Sequence, residues 1–295
     1  MSTPEVKASI ALKLHAFGLT QLHDPNWTGM EMFDRLKQHT RGRQEPTTML
    51  FKTIPNGLLY HLGLWLLDDF IISDNYRMSL GGEYRLWYLE DLVEMLTSAG
   101  IRIDDPLISK ASKTVSDISA LYDKDDAQYF KAVDRDTAYG QADSLVQHFE
   151  KELRSVFGLY AENYAERVFH DRQLCEHIGR TLVTIGFDGT SDGTAPPKQW
   201  VDRQDGWPAW ARKAVIARDR GHCAQCDKDL TLELSEADHI DHIIPLGVGG
   251  TNDLSNLQLL CEPCNLAKGR QLIDVRSSVP PYLLTAHRHK KSLKD

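Results

Sequence analysis

At 295 residues the chain has room for two medium domains, and its content of 41% hydrophobic and 26% charged residues excludes both a wholly disordered chain and a fibrous repeat. The formal charge is -8, but it is unevenly held: residues 1–197 carry 20 Lys and Arg against 29 Asp and Glu, net -9, while residues 198–295 carry 14 against 13, net +1. The acidic first part is therefore excluded as a broad grip on a phosphate backbone, and is expected instead to select a target, bind a protein partner or activator, or regulate.

The chain opens without a basic segment followed by an apolar run, so no secretory signal is read in Met1–Ile10. Helical spacing then comes early: Val6, Ile10, Leu14 and Phe17 share one face over 4–18, and Met30, Phe33 and Leu36 do so over 27–39. Asn56 can cap the apolar segment Leu58–Ile72, which His61, Asp68 and Asp69 interrupt; it is too short and too charged to span a bilayer. A cytoplasmic location with no membrane partner is expected. Gly81 and Gly100 bracket an amphipathic run over Tyr84–Ser98. Asp104-Asp105-Pro106 is a helix start leading into Leu107, Ile108, Val115 and Ile118, and a long helical stretch follows Gly140 to about Ile185. No segment before residue 190 has the period of a strand. Within the last helical stretch, Arg172 and His177 have the Arg-x4-His spacing of the helical HEPN ribonucleases, but chance alone supplies roughly one such spacing here. Cys175 reads as a small core residue.

Residues 187–206, with Gly-Thr-Ser-Asp-Gly-Thr-Ala-Pro-Pro at their centre, have the composition of a linker. The expected division is a helical domain at 1–186, the linker, a second domain at 207–275, and a basic tail at 276–295. In the second domain Trp210–Arg218 reads as a short helix, and 237–244 and 257–260 as strands. Trp207 and Trp210 are expected to pack rather than stack on bases.

Four of the five cysteines fall in two C-x-x-C pairs, Cys223/Cys226 and Cys261/Cys264. In a reducing compartment such spacing reads as metal ligation, and four thiolates suit the closed tetrahedral site of structural zinc. The 34 residues between the pairs exceed the gap of a plain zinc ribbon, so the staple closes over an insert. That insert contains Asp241-His242-Ile243-Ile244-Pro245, a Gly249-Gly250 turn and Asn256-Leu257-Gln258-Leu259-Leu260-Cys261; beyond it comes Cys264-Asn265-Leu266-Ala267-Lys268. Asp241 and His242 would point to opposite faces of a strand, unless the turn that follows lets both reach one cleft.

The order and spacing of these motifs, over about residues 207–270, resemble the zinc-containing HNH endonucleases, also called ββα-metal or His-Me finger nucleases. The periodicity before residue 190 gives a mainly α N-terminal domain. The resemblance implies a small α+β, treble-clef-like ββα-metal domain after it. It implies His242 as general base, Asn256 holding its ring through a side-chain hydrogen bond, Asp241 and Asn265 as ligands of a catalytic Mg²⁺ or Mn²⁺, and Lys268 near the phosphate. His239, in the Asp238-His239 pair just ahead, is expected at the substrate backbone. Asn265 stands where the family often has His. The function expected is metal-dependent cleavage of nucleic acid, DNA ahead of RNA, in a layout that resembles restriction and anti-phage effectors. The alternative is a non-catalytic zinc module that binds nucleic acid or acts as a scaffold.

Overall fold

In the computed structural model residues 48–73, 80, 83–122, 126–133, 137–185, 200–231 and 240–273 are described. The helices expected over 4–18 and 27–39, His239 and the tail lie outside them. Among the described residues the order is α1 (Thr48–Phe51), α2 (Leu58–Leu67, continued by a π turn over Asp68–Ile72), α3 (Glu83–Ser98), α4 (Pro106–Tyr122), α5 (Asp126–Val133), α6 (Thr137–His170), α7 (Arg172–Ile185), α8 (Ala209–Arg218), β1 (Ile240–His242), β2 (Leu257–Leu259) and α9 (Glu262–Lys268). The mainly helical first part and the small α+β end are as expected, and none of these helices is long and apolar enough to cross a membrane.

The described chain divides into two compact units, residues 60–165 and residues 48–59 with 166–273. In the first, α3 and α4 form where the apolar spacing predicts them and bury that face. Leu89, Leu92, Met95 and Leu96 of α3 are fully buried, as are Ile108 and Ala111 of α4, and Leu86, Ile118 and Tyr129 form a small cluster of their own. Asp105 starts α4 by accepting from the Leu107 N–H at 2.9 Å, which is the N-cap its sequence announces. Gly63 lets α2 and α6 approach closely: a Cβ there would lie 2.9 Å from Tyr164 Cδ1 and 3.0 Å from Ala161 Cα.

α6 kinks at Phe149, which leaves helical geometry at φ -118 and ψ 23, and the helical stretch after Gly140 is not one continuous helix. It breaks at Asp171, whose carboxylate accepts from the Leu174 N–H at 3.0 Å and so caps α7. Cys175, one residue further on, is buried against the Val168 carbonyl, and burial pushes its thiol up to about 12. It is the inert core residue its context suggests.

The second unit draws residues 48–59 and the helical residues 166–185 together with the cysteine-bearing region. α7 packs on the turn that precedes β2, and a Cβ on Gly179 would meet Ile244 Cδ1, just beyond β1, at 2.6 Å. Asn56, the expected cap of α2, has φ 53 and is not the residue that satisfies the helix; the Leu58 N–H donates instead to Asp253 Oδ2 at 3.0 Å, across 195 positions of sequence. Asp253 also caps its own turn, accepting from Ser255 N at 2.9 Å and Ser255 Oγ at 2.5 Å. Asp253→Ala leaves these buried donors unanswered and is expected to lower the unfolding free energy by about 3 kcal/mol, read as a fall in the denaturant midpoint at unchanged slope.

Candidate metal and catalytic centre

The four paired cysteines come together. Their sulfurs all lie within 4.8 Å of one another, and Cys226 Sγ is 3.7 Å from Cys261 Sγ. A tetrahedron with metal–sulfur bonds of about 2.3 Å has edges of roughly 3.8 Å, so the spacing suits zinc. The sequence builds this cluster from two local devices. A tight knuckle closes through Cys223 N to Lys228 O at 2.8 Å and Asp227 N to Cys223 O at 2.9 Å, and Asp227 takes a positive φ of 64. On the other side Cys261 sits at the start of α9, which places Cys264 one turn in. Burial pushes the Cys223 thiol up, but the backbone N–H groups of Cys261, Cys226 and Gln225 outweigh it and bring it down to about 7; burial first, and neighbouring sulfurs after it, push Cys226 and Cys264 up. Such a cluster favours a bound cation that takes up the thiolate charge.

Above the cluster β1 and β2 pair antiparallel, with Ile240 opposite Leu259, Asp241 opposite Gln258 and His242 opposite Leu257. The strand is three residues long, and all of them are buried. His242 is 4% exposed, its Nε2 is 3.0 Å from Asn252 Oδ1, and the Trp207 ring meets it edge-on at 5.3 Å. Burial is the largest influence on the imidazole and lowers its pKa; the Asn252 bond and the Asp241 charge push back without overcoming it. The ring is therefore held neutral at pH 7. Beside it on the strand, Asp241 Oδ2 lies 2.7 Å from Lys268 Nζ, a contact of opposite charges without hydrogen-bond alignment, so both atoms are buried and short of hydrogen-bond partners.

Between the strands the chain turns through Leu246–Val248 and Leu254–Asn256. Gly249 has φ 93, and a Cβ on Gly250 would fall 1.9 Å from the Ile244 carbonyl oxygen, so this turn admits only glycine. Residues 223–271 match the model of a known family, the HNH endonucleases. The chain carries an HNH endonuclease domain. Neither curated proteins nor solved structures yield a match to it.

The two strands and α9 are the ββα unit of that domain. α8, with Ala211, Val215 and Arg218 buried, and α7 brace it from outside the matched span. Arg218 donates to Asp219 through Nε and to the Leu257 carbonyl at 2.7 Å, while its guanidinium lies over the Phe169 ring at 4.7 Å. Arg172 donates to Gln258 Oε1 at 3.1 Å, and Gln258 Nε2 in turn donates to the His242 carbonyl at 3.2 Å. Arg172, 5% exposed, is thus a brace for the HNH strands.

Of the residues named from sequence, the four cysteines converge and Asp241 and His242 adjoin on β1. Asn256 does something other than hold the His242 ring. Its Oδ1 accepts from Ile244 N at 2.8 Å and its Nδ2 donates to the carbonyls of Ile244 and Thr251, so both ends of its amide clasp the turn. The ring partner is Asn252, four residues earlier, which sequence reasoning missed. Lys268, expected at the phosphate, is 2% exposed, because α9 turns that side toward β1 and sets the ammonium on Asp241. Asn265, half-buried and three residues before Lys268, shares that side of the helix. Trp207 packs as expected, though on His242 itself; Trp210 stays 37% exposed.

Proposed function

We propose that the chain is a metal-dependent endonuclease that hydrolyses phosphodiester bonds, with DNA as substrate. The observation that carries this reading is the state of His242: a buried imidazole kept neutral, one nitrogen occupied by Asn252, next to a carboxylate on the same strand. A neutral, oriented imidazole is what general-base activation of water asks for. In that reaction the water oxygen bonds to phosphorus, its proton passes to the His242 ring, and the opposite P–O ester bond breaks to leave an oxygen that takes up a proton from solvent.

Asp241 and Asn265 would hold the catalytic cation. Oxygen donors favour a hard ion such as Mg²⁺ or Mn²⁺, and the Asp241 oxygen short of hydrogen-bond partners fits that demand. When bound, such an ion neutralises charge on the phosphate and the leaving oxygen. The cysteine cluster serves a separate end, holding zinc as a closed structural site.

One observation favours a second reading, a zinc module that binds nucleic acid without cutting it: the Asp241 carboxylate already faces an internal cation, Lys268. The two readings separate on supercoiled plasmid. The purified chain with Mg²⁺ or Mn²⁺ is expected to convert it to nicked or linear forms, and EDTA is expected to stop the reaction. Plasmid and RNA both left intact, with DNA retained in a gel shift, would establish the binding module instead.

A further inference from the structure

The matched nuclease domain starts at Cys223, yet the His242 ring is held through atoms supplied from well outside it. Asn252 is fully buried. Its Oδ1 is 3.0 Å from His242 Nε2, and its Nδ2 lies 2.8 Å from the Phe51 carbonyl and 2.8 Å from the Asp202 carbonyl. Its main chain is fixed as well, with N donating to Leu50 O at 2.8 Å and O accepting from Thr53 Oγ1 at 2.6 Å. The outer segments also hold each other: Thr53 N donates to Gln204 Oε1 at 2.9 Å.

Two carbonyl oxygens can only accept, so they select the NH₂ end of the amide and turn Oδ1 toward the ring. An oxygen facing the ring accepts in its turn, so Nε2 is the protonated nitrogen and Nδ1 keeps the lone pair. The two distant carbonyls thereby decide which nitrogen of His242 is basic. Asn256, four residues on, cannot substitute, since its amide is spent on Ile244 and Thr251.

We infer that Asn252 is a positioning residue for His242, and that its orientation is imposed by residues 50–53 and 202–204, outside the nuclease domain. The inference rests on the reading of His242 as the base, but its central claim concerns the ring and can be measured without cleavage. The segment ahead of the helical unit and the last residues of the expected linker are, on this account, parts of the catalytic apparatus.

The test uses the full-length protein, with zinc content and melting temperature as checks on folding. In protein labelled with ¹⁵N-histidine, the His242 signals, assigned by their loss in His242→Gln, are expected to show the Nε2–H tautomer in the wild type. In Asn252→Ser they are expected to show a mixture of tautomers. On plasmid, Asn252→Ser is expected to lose roughly 10–100-fold in kcat with KM unchanged, the range typical of groups that orient a reactive side chain. An Nδ1–H tautomer in the wild type overturns the inference, and so does an Asn252→Ser chain that keeps both tautomer and kcat. Should Asn252→Ser fail to fold, the wild-type tautomer alone decides. If the tautomers behave as stated while the wild type cuts nothing, the positioning role stands and the nuclease reading is what falls.

Discussion

A His242→Ala chain is expected to keep its zinc and lose its cutting, the rate falling by roughly 10²–10⁴-fold, the span that a positioned general base contributes. The two halves of that expectation have separate causes. The cysteine cluster draws on residues 223–226 and 261–264 and on none of the His242 contacts, so the metal site has no reason to respond. The imidazole is the one group on β1 that can take a proton from water at neutral pH. Some loss of stability accompanies the change, because the ring is buried against Trp207 and its removal leaves a gap, so the melting temperature has to be followed alongside the rate. The pH profile offers an independent check. Since burial depresses the His242 pKa, the base stays neutral to a lower pH than a free imidazole, and activity is lost as pH falls through that depressed value. The acid limb of kcat/KM is thus expected below about 6.5, and to vanish with the residual activity of the variant. Plasmid cleavage by His242→Ala at the wild-type rate would remove His242 from the reaction altogether.

Cys261→Ser is expected to have the larger effect on the protein itself: loss of bound zinc, measured as metal per chain, and melting of the nuclease domain. Apparent binding energies of structural zinc are about 10–16 kcal/mol at neutral pH, comparable to the whole stability of a domain. Cys261 is separated from β2 by Leu260 alone, caps α9 and lies 3.7 Å from Cys226, so it is the point at which strand, helix and knuckle are joined. Removing it releases all three. Prolonged chelation is expected to reproduce the variant, while much of the far-ultraviolet helical signal persists, because the helices of residues 60–165 have an apolar core of their own. A Cys261→Ser chain that binds no metal and melts where the wild type does would show that the cluster is dispensable to the fold.

Features that depend on short spacing are legible in the sequence. The cysteine pairs, the Asp241-His242 dipeptide and the Gly249-Gly250 turn each declare themselves within a few residues. The periodic apolar faces of α3 and α4 do so as well, together with the Asp105 cap. The break at Asp171 is harder, since neither glycine nor proline marks it; the signal is an acidic N-cap inside an apparently continuous pattern. The exchange of roles between Asn252 and Asn256 is not legible at all. Both are asparagines in one loop, and what separates them is which distant carbonyls each amide meets: Phe51 and Asp202 for the first, the loop's own backbone for the second. The capping of α2 by Asp253 rather than Asn56 is hidden for the same reason. Lys268 is misread because its helix position is local information, whereas the strand it faces is not.

The bonds from Asn252 to Thr53 and Phe51 span 199 and 201 positions of the chain. Contacts of such separation require a large loop to close before they form, and they tend to be made late in folding. During synthesis Phe51 and Thr53 are made 201 and 199 residues before Asn252, so the pocket waits until that whole intervening stretch has been made. A chain terminated between Thr53 and Asn252 accordingly lacks the amide that holds the His242 ring.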